Sequence, residues 1–138
     1  MLSKADLDRF SRSIPKSDVD LGGDDTVSLS STSLDKAAYL ASVKRQIELT
    51  WTYPEEAGRK GIGGDLVLAF TIGHNGKLEN VELEEPSGYR ILDEEAMRAV
   101  KTAAPYNPLP DRMHRDRLRI RAVFRYIIDN SGIFHWIR

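Results

Sequence analysis

The sequence contains no cysteine. Disulfides and thiolate chemistry are therefore excluded, while a reducing or an oxidising compartment fits equally well. No apolar run is long enough to cross a bilayer. Nor is there a basic segment followed by the apolar stretch of a secretory signal. The protein is thus either cytoplasmic or begins after its targeting segment. Charge of one sign is also lacking: the net value is −1, which does not mark the whole chain as a binder of nucleic acid or membrane surfaces. Histidine is scarce. His74, His114 and His135 have no metal-ligand spacing and read as solvated side chains. No serine sits in a nucleophile elbow. Gly61-Ile62-Gly63-Gly64 precedes a strand pattern and not a helix, so it reads as a turn and not as a phosphate cradle. These absences argue against an enzyme, and no cofactor is expected.

What is present suits one ordinary domain of 138 residues, 41% apolar and 30% charged. Charge is unevenly placed. Up to Asp35 there are four basic and seven acidic residues, a net −3, and the remainder carries +2. Residues 1–32 are rich in Ser and Asp and read as a polar linker or tail, because they offer too little apolar surface to offset the entropy of ordering. Two apolar islands within them, Leu7 to Phe10 and Val27 to Leu29, are candidates for docking. Residues 33–138 read as the folded domain.

Thr32-Ser33-Leu34-Asp35 matches a capping box, after which Leu40, Val43, Ile47 and Trp51 form a helical stripe that ends at Pro54. Strict alternation from Asp65 to Ile72 predicts a half-buried strand, with Leu66, Leu68, Phe70 and Ile72 inward. Asn75-Gly76 predicts a hairpin into a return strand, Leu78 to Glu84, with Val81 and Leu83 inward. A second helix places Leu92, Ala96, Ala99, Val100 and Ala103 on one face. A third strand alternates Leu118, Ile120, Ala122, Phe124 and Tyr126 with Arg117, Arg119, Arg121, Val123 and Arg125. Asp129 to Gly132 predicts a turn into a short terminal strand ending at Ile137. The fold class is α+β: two helices on one face of a small three-stranded antiparallel sheet, with a short fourth C-terminal strand.

Two surface features stand out. Arg112, Arg115, Arg117, Arg119, Arg121 and Arg125 form a comb that either pairs with Glu82, Glu84 and Glu85 or binds phosphates. The aromatics Phe124 and Tyr126 have the opposite parity, which disfavours base stacking on that face. The other feature is an edge. This topology leaves the third strand at the sheet border, where backbone groups template a further strand and a short terminal strand serves as a cover. Binding by β-augmentation follows from that.

Trp51-Thr52-Tyr53-Pro54, Gly64 opening a strand, Asn75-Gly76-Lys77-Leu78, Ser87-Gly88-Tyr89 with Leu92-Asp93 and Ala96, then Ala103-Ala104-Pro105 and Pro108 together resemble the TonB C-terminal domain family. The resemblance covers roughly Leu34 to Tyr126. It implies the periplasmic part of an energy transducer anchored in the inner membrane, with ExbB and ExbD as partners of a segment absent from this sequence. It further implies capture of the TonB-box segment of outer-membrane β-barrel transporters on the last long strand. Carried onto this chain, that site is Ile120, Arg121, Ala122, Val123, Phe124, Arg125, Tyr126 and Ile127, joined by Tyr53 and Pro54. Tyr53-Pro54 reads equally as a simple helix stop. A homodimer through the same edge is the alternative, and nucleic-acid binding by the arginines a lesser one.

Overall fold

The computed structural model describes residues 26–34, 36–129 and 132–138. The island Leu7 to Phe10 lies outside them. Thr26–Ser28 forms β1, inside the stretch read as a tail. Helix α1 spans Ala37–Thr50, α2 spans Glu55–Lys60, β2 spans Gly64–Gly73 and β3 spans Leu78–Glu85. Helix α3 spans Arg90–Ala103, followed by a 3-10 turn at Asp111–Met113, β4 at Arg117–Asp129 and β5 at Gly132–Ile137.

The periodicities hold. Leu40, Val43 and Ile47 are buried along α1 and Trp51 at its C-cap, as are Leu92, Ala96, Ala99 and Val100 along α3. They join Leu66, Leu68, Phe70, Ile72, Leu118, Ile120, Ala122 and Phe124 of the sheet in a single core. Thr50 Oγ1 donates to the Ala99 carbonyl (3.0 Å), and Gln46 Nε2 donates to the Ala103 carbonyl (3.0 Å), tying the two helices side by side. The small alanines of α3 let it lie close to its neighbours.

Four details depart from the sequence reading. The helix expected from a Thr32–Asp35 capping box begins at Ala37, with Lys36 at the N-cap and no side-chain bond there; Asp35 lies outside the described residues. The six-residue α2 follows directly on Pro54, whose fixed φ suits a helix start. Leu83, expected inward, is 36% exposed because β3 is the border strand of the sheet. Val67 and Ala69, expected on the outer face, are buried. Ala69 stands between Arg121 and Glu82 in register, so the ion pairs that run from β4 to β3 cross over it.

The sheet has five strands in the order β1-β4-β2-β3, with β5 also on β4. It is mixed and not purely antiparallel, since β1 runs parallel to β4. At the far end, Gly76 in the β2–β3 turn has φ +91°, and a side-chain carbon there would lie 2.1 Å from the Tyr106 carbonyl oxygen. The Tyr106 N–H donates to the Gly76 carbonyl at 2.9 Å. Glycine is thus required both for its backbone angle and for this close approach.

Three tyrosines are buried with hydrogen-bonded hydroxyls. Tyr39 donates to the Asn107 carbonyl (2.7 Å), Tyr106 to the Val100 carbonyl (2.7 Å) and Tyr126 to the Leu92 carbonyl (3.0 Å). Burial pushes the Tyr39 phenol up to about 12, and raises Tyr106 and Tyr126 as well. An unfolded chain ionises these groups near pH 10, so it binds fewer protons than the folded chain above that pH. Stability should be full below pH 10 and fall as pH rises from 10 through about 12, by about 1.4 kcal/mol per pH unit for each phenol that stays neutral. Denaturant melts at pH 9 and pH 11 check this, and Tyr39→Phe should lessen the loss.

Candidate strand-capture edge

Strand β4 is the spine of the sheet. One edge pairs with β2 along ten residues, from Gly64 opposite Tyr126 to Gly73 opposite Arg117. The other edge carries two separate occupants. β1 sets Thr26, Val27 and Ser28 against Arg119, Ile120 and Arg121, and the Leu29 N–H donates to the Arg121 carbonyl at 2.9 Å. β5 sets Gly132 to Ile137 against Asp129 to Phe124. Beyond it, Val123 and Arg138 exchange two backbone bonds of 2.7 and 3.0 Å. The two covers therefore meet between Arg121 and Val123.

The residues expected at the edge divide by parity. Ile120, Ala122, Phe124 and Tyr126 are buried toward the helices, whereas Arg121, Val123, Arg125 and Ile127 are half-buried. The backbone of Val123 faces the covered edge and not β2, since both of its polar groups bond Arg138. The terminal strand anticipated as a cover is present. The turn into it, Asn130 and Ser131, lies outside the described residues. The second cover, β1, was visible in the sequence only as the island Val27 to Leu29.

β5 is well anchored. Ile137 is fully buried. The guanidinium groups of Arg125 and Arg138 stand 5.2 and 5.1 Å from the Trp136 ring. His135, expected to be solvated, is exposed overall, yet its Nε2 lies 3.1 Å from the Trp51 carbonyl and its ring packs edge-on to Trp51 at 4.6 Å. Trp51 in turn donates to the Tyr126 hydroxyl at 2.7 Å and meets the Phe124 and Tyr126 rings at 5.0 and 5.1 Å.

Tyr53 and Pro54 gather at the β5 end of this edge. The Tyr53 ring packs edge-on to Tyr126 (5.2 Å), and its hydroxyl donates to the Ile62 carbonyl at 2.5 Å. Tyr53, Pro54, Glu55, Gly58, Arg59 and Ile133 line an open hollow there. Pro54 is the N-cap of α2, whereas α1 has already ended at Thr50, with Trp51 extended. Tyr53 and Pro54 lie with the Phe124-to-Ile127 half of the edge, away from Ile120 and Arg121.

The arginine comb is largely spoken for. Arg117 bonds Glu79 (3.0 Å), Arg119 bonds Glu82 and Glu84 (2.9 and 3.1 Å), Arg121 bonds Glu84 and Glu85 (2.7 and 3.1 Å), and Arg125 bonds Asp65 (2.9 Å). A face of paired charges lacks the excess cation that a phosphate backbone requires. Among the described residues no group of three or more His, Cys, Asp or Glu is placed to hold a metal, and no helix is long and apolar enough to cross a membrane.

Fold and edge together define an α+β module whose longest strand is held centrally on one side and by short segments on the other. The chain matches the family described as Gram-negative bacterial TonB protein C-terminal over residues 50–128. It belongs to that family. It is 33% identical over 73 residues to Protein TonB of Pasteurella multocida and 30% identical over 73 residues to Protein TonB of Helicobacter pylori, in each case over 53% of this chain. The matches span only 28% and 26% of those relatives. An NMR structure of the Helicobacter pylori TonB C-terminal domain superposes with a TM-score of 0.59 at 23% identity, covering 72% of this chain and 96% of that one. A shorter form of the same domain gives 0.53 at 25% identity, over 64% and 92%.

Proposed function

We propose that this domain is the periplasmic end of a TonB-type energy transducer, which captures an extended segment of an outer-membrane transporter as an added strand on β4. The supporting observation is the state of that edge. β4 is fixed along ten pairs by β2, while its other side is closed by two short strands that contribute separately. Backbone pairing supplies affinity in such a mode, and the alternate side chains supply selectivity. In this reading a part of the protein outside this sequence engages ExbB and ExbD and draws on the inner-membrane proton gradient. The domain works by binding and not by catalysis.

Calorimetric titration with a synthetic TonB-box peptide tests the reading. One-to-one binding is expected, with Arg121→Ala weakening it modestly because the backbone makes most of the contact. No binding at any accessible concentration would overturn it.

The alternative, a homodimer through the same edge region, draws on β5. Its outer side pairs with no strand among the described residues, and it exposes Ile133, Phe134 and Trp136. Sedimentation that is independent of concentration would remove this alternative.

A further inference from the structure

The two covers of the β4 edge are unequal. β5 follows β4 closely in sequence, pairs antiparallel along six residues and is anchored by Ile137 and Trp136. β1 pairs along three residues with a strand more than ninety positions away, and it is the one parallel pairing in the described sheet. Few backbone bonds and a long connection make a segment that detaches at low cost.

β1 is nonetheless fitted to its slot. Leu29 is 4% exposed and Val27 packs against the core from the same face of the strand. Thr26 points to the opposite face, where its hydroxyl accepts a hydrogen bond from Arg119 Nη1 at 2.9 Å. That guanidinium is held in place by Glu82 and Glu84. The slot thus reads three features of an occupant: a hydroxyl opposite Arg119, an apolar side chain opposite Ile120, and another two residues further on.

We propose that Thr26–Leu29 is a built-in competitor for the partner strand. It closes the Arg119-to-Arg121 half of the edge in the resting domain, and the partner must displace it with an extended segment that runs parallel to β4 and has a hydroxyl, apolar, any, apolar pattern. This rests on the reading of β4 as the capture edge. Access to the edge is then set by the balance between an internal and an external strand of the same chemistry.

The probes are a synthetic peptide with the sequence of residues 24–31 and a control peptide with aspartate in place of its Val and Leu. The protein is the full chain, compared with Leu29→Asp and with the milder Thr26→Ala, each checked for folding by circular dichroism. Amide exchange at position 29 reports whether β1 is docked. If β1 is docked about nine-tenths of the time, Leu29→Asp should bind the peptide about tenfold more tightly than the unmodified chain. Thr26→Ala should fall between them, and the control peptide should bind none of the three. In the unmodified chain, saturating peptide should expose the position-29 amide.

Equal affinity for all three proteins, with that amide still protected at saturation, would overturn the competitor while leaving capture elsewhere on the edge intact. Failure of the peptide to bind even when the amide is free in Leu29→Asp would overturn capture on this half of the edge altogether. A position-29 amide that stays protected in Leu29→Asp would also sink the proposal, since β1 would not be readily displaced.

Discussion

A Val123→Pro chain is expected to fold and to lose capture of a TonB-box peptide. Both polar groups of the Val123 backbone point to the covered edge, where they bond Arg138. The pairing of β4 with β2 therefore does not use the N–H that proline lacks. Ala122 is already extended, the conformation that a following proline enforces. The folded chain loses one bond to Arg138 and gains some backbone strain, in all about 1–3 kcal/mol. A partner strand running past Arg121 loses that same N–H and meets the prolyl ring. Together these should weaken capture by on the order of 10- to 100-fold. Calorimetry on a chain shown to be folded decides the matter: normal binding by Val123→Pro would show that the partner does not pair with the Val123 stretch of this edge.

The second large effect belongs to Trp51. Trp51→Ala should cost about 3–5 kcal/mol, the usual range for emptying a buried tryptophan site, measured as the urea midpoint shift. That is a large share of the stability of a small domain. The loss should also be uneven. Trp51 carries the edge-on contacts to Phe124, Tyr126 and His135, so it supports β4 and β5 where they cross the end of α1. Amides of β5 should exchange faster relative to those of β2, whereas Trp51→Phe should restore much of the difference. Uniform acceleration across both strands would contradict this role.

How far the sequence could be read follows from how local each signal is. The α1 stripe from Leu40 to Trp51 and the alternation of β4 are carried by single segments in which burial imposes the period, and both are present as expected. Glu82 and Glu84 were legible as partners of Arg119 and Arg121 because parity alone puts them on one face, whereas Glu85 reaches Arg121 through the register shift at Val67 and Leu68. The burial of Val67 and Ala69 was not, since it depends on long side chains from two neighbouring strands closing over the middle one. α2 was hidden by its length of six residues and its charge. β1 was the hardest to see. It is a three-residue strand in a polar stretch, and its stability comes from Ile120 and Arg121, which nothing near it in sequence announces. The strand itself was legible as alternation. The division of its edge into two closed halves was not.

The order of the elements also sets the path that any load on the chain would take. The chain enters the described fold through β1, so a pull applied upstream of Thr26 arrives first at the three pairs with β4 and only afterwards at α1 and the core. In the proposed transducer, β1 would serve as a mechanical fuse. Under load it would part before the ten-pair β2–β4 ladder, leaving the body of the domain intact while changing which strand sits beside Arg119.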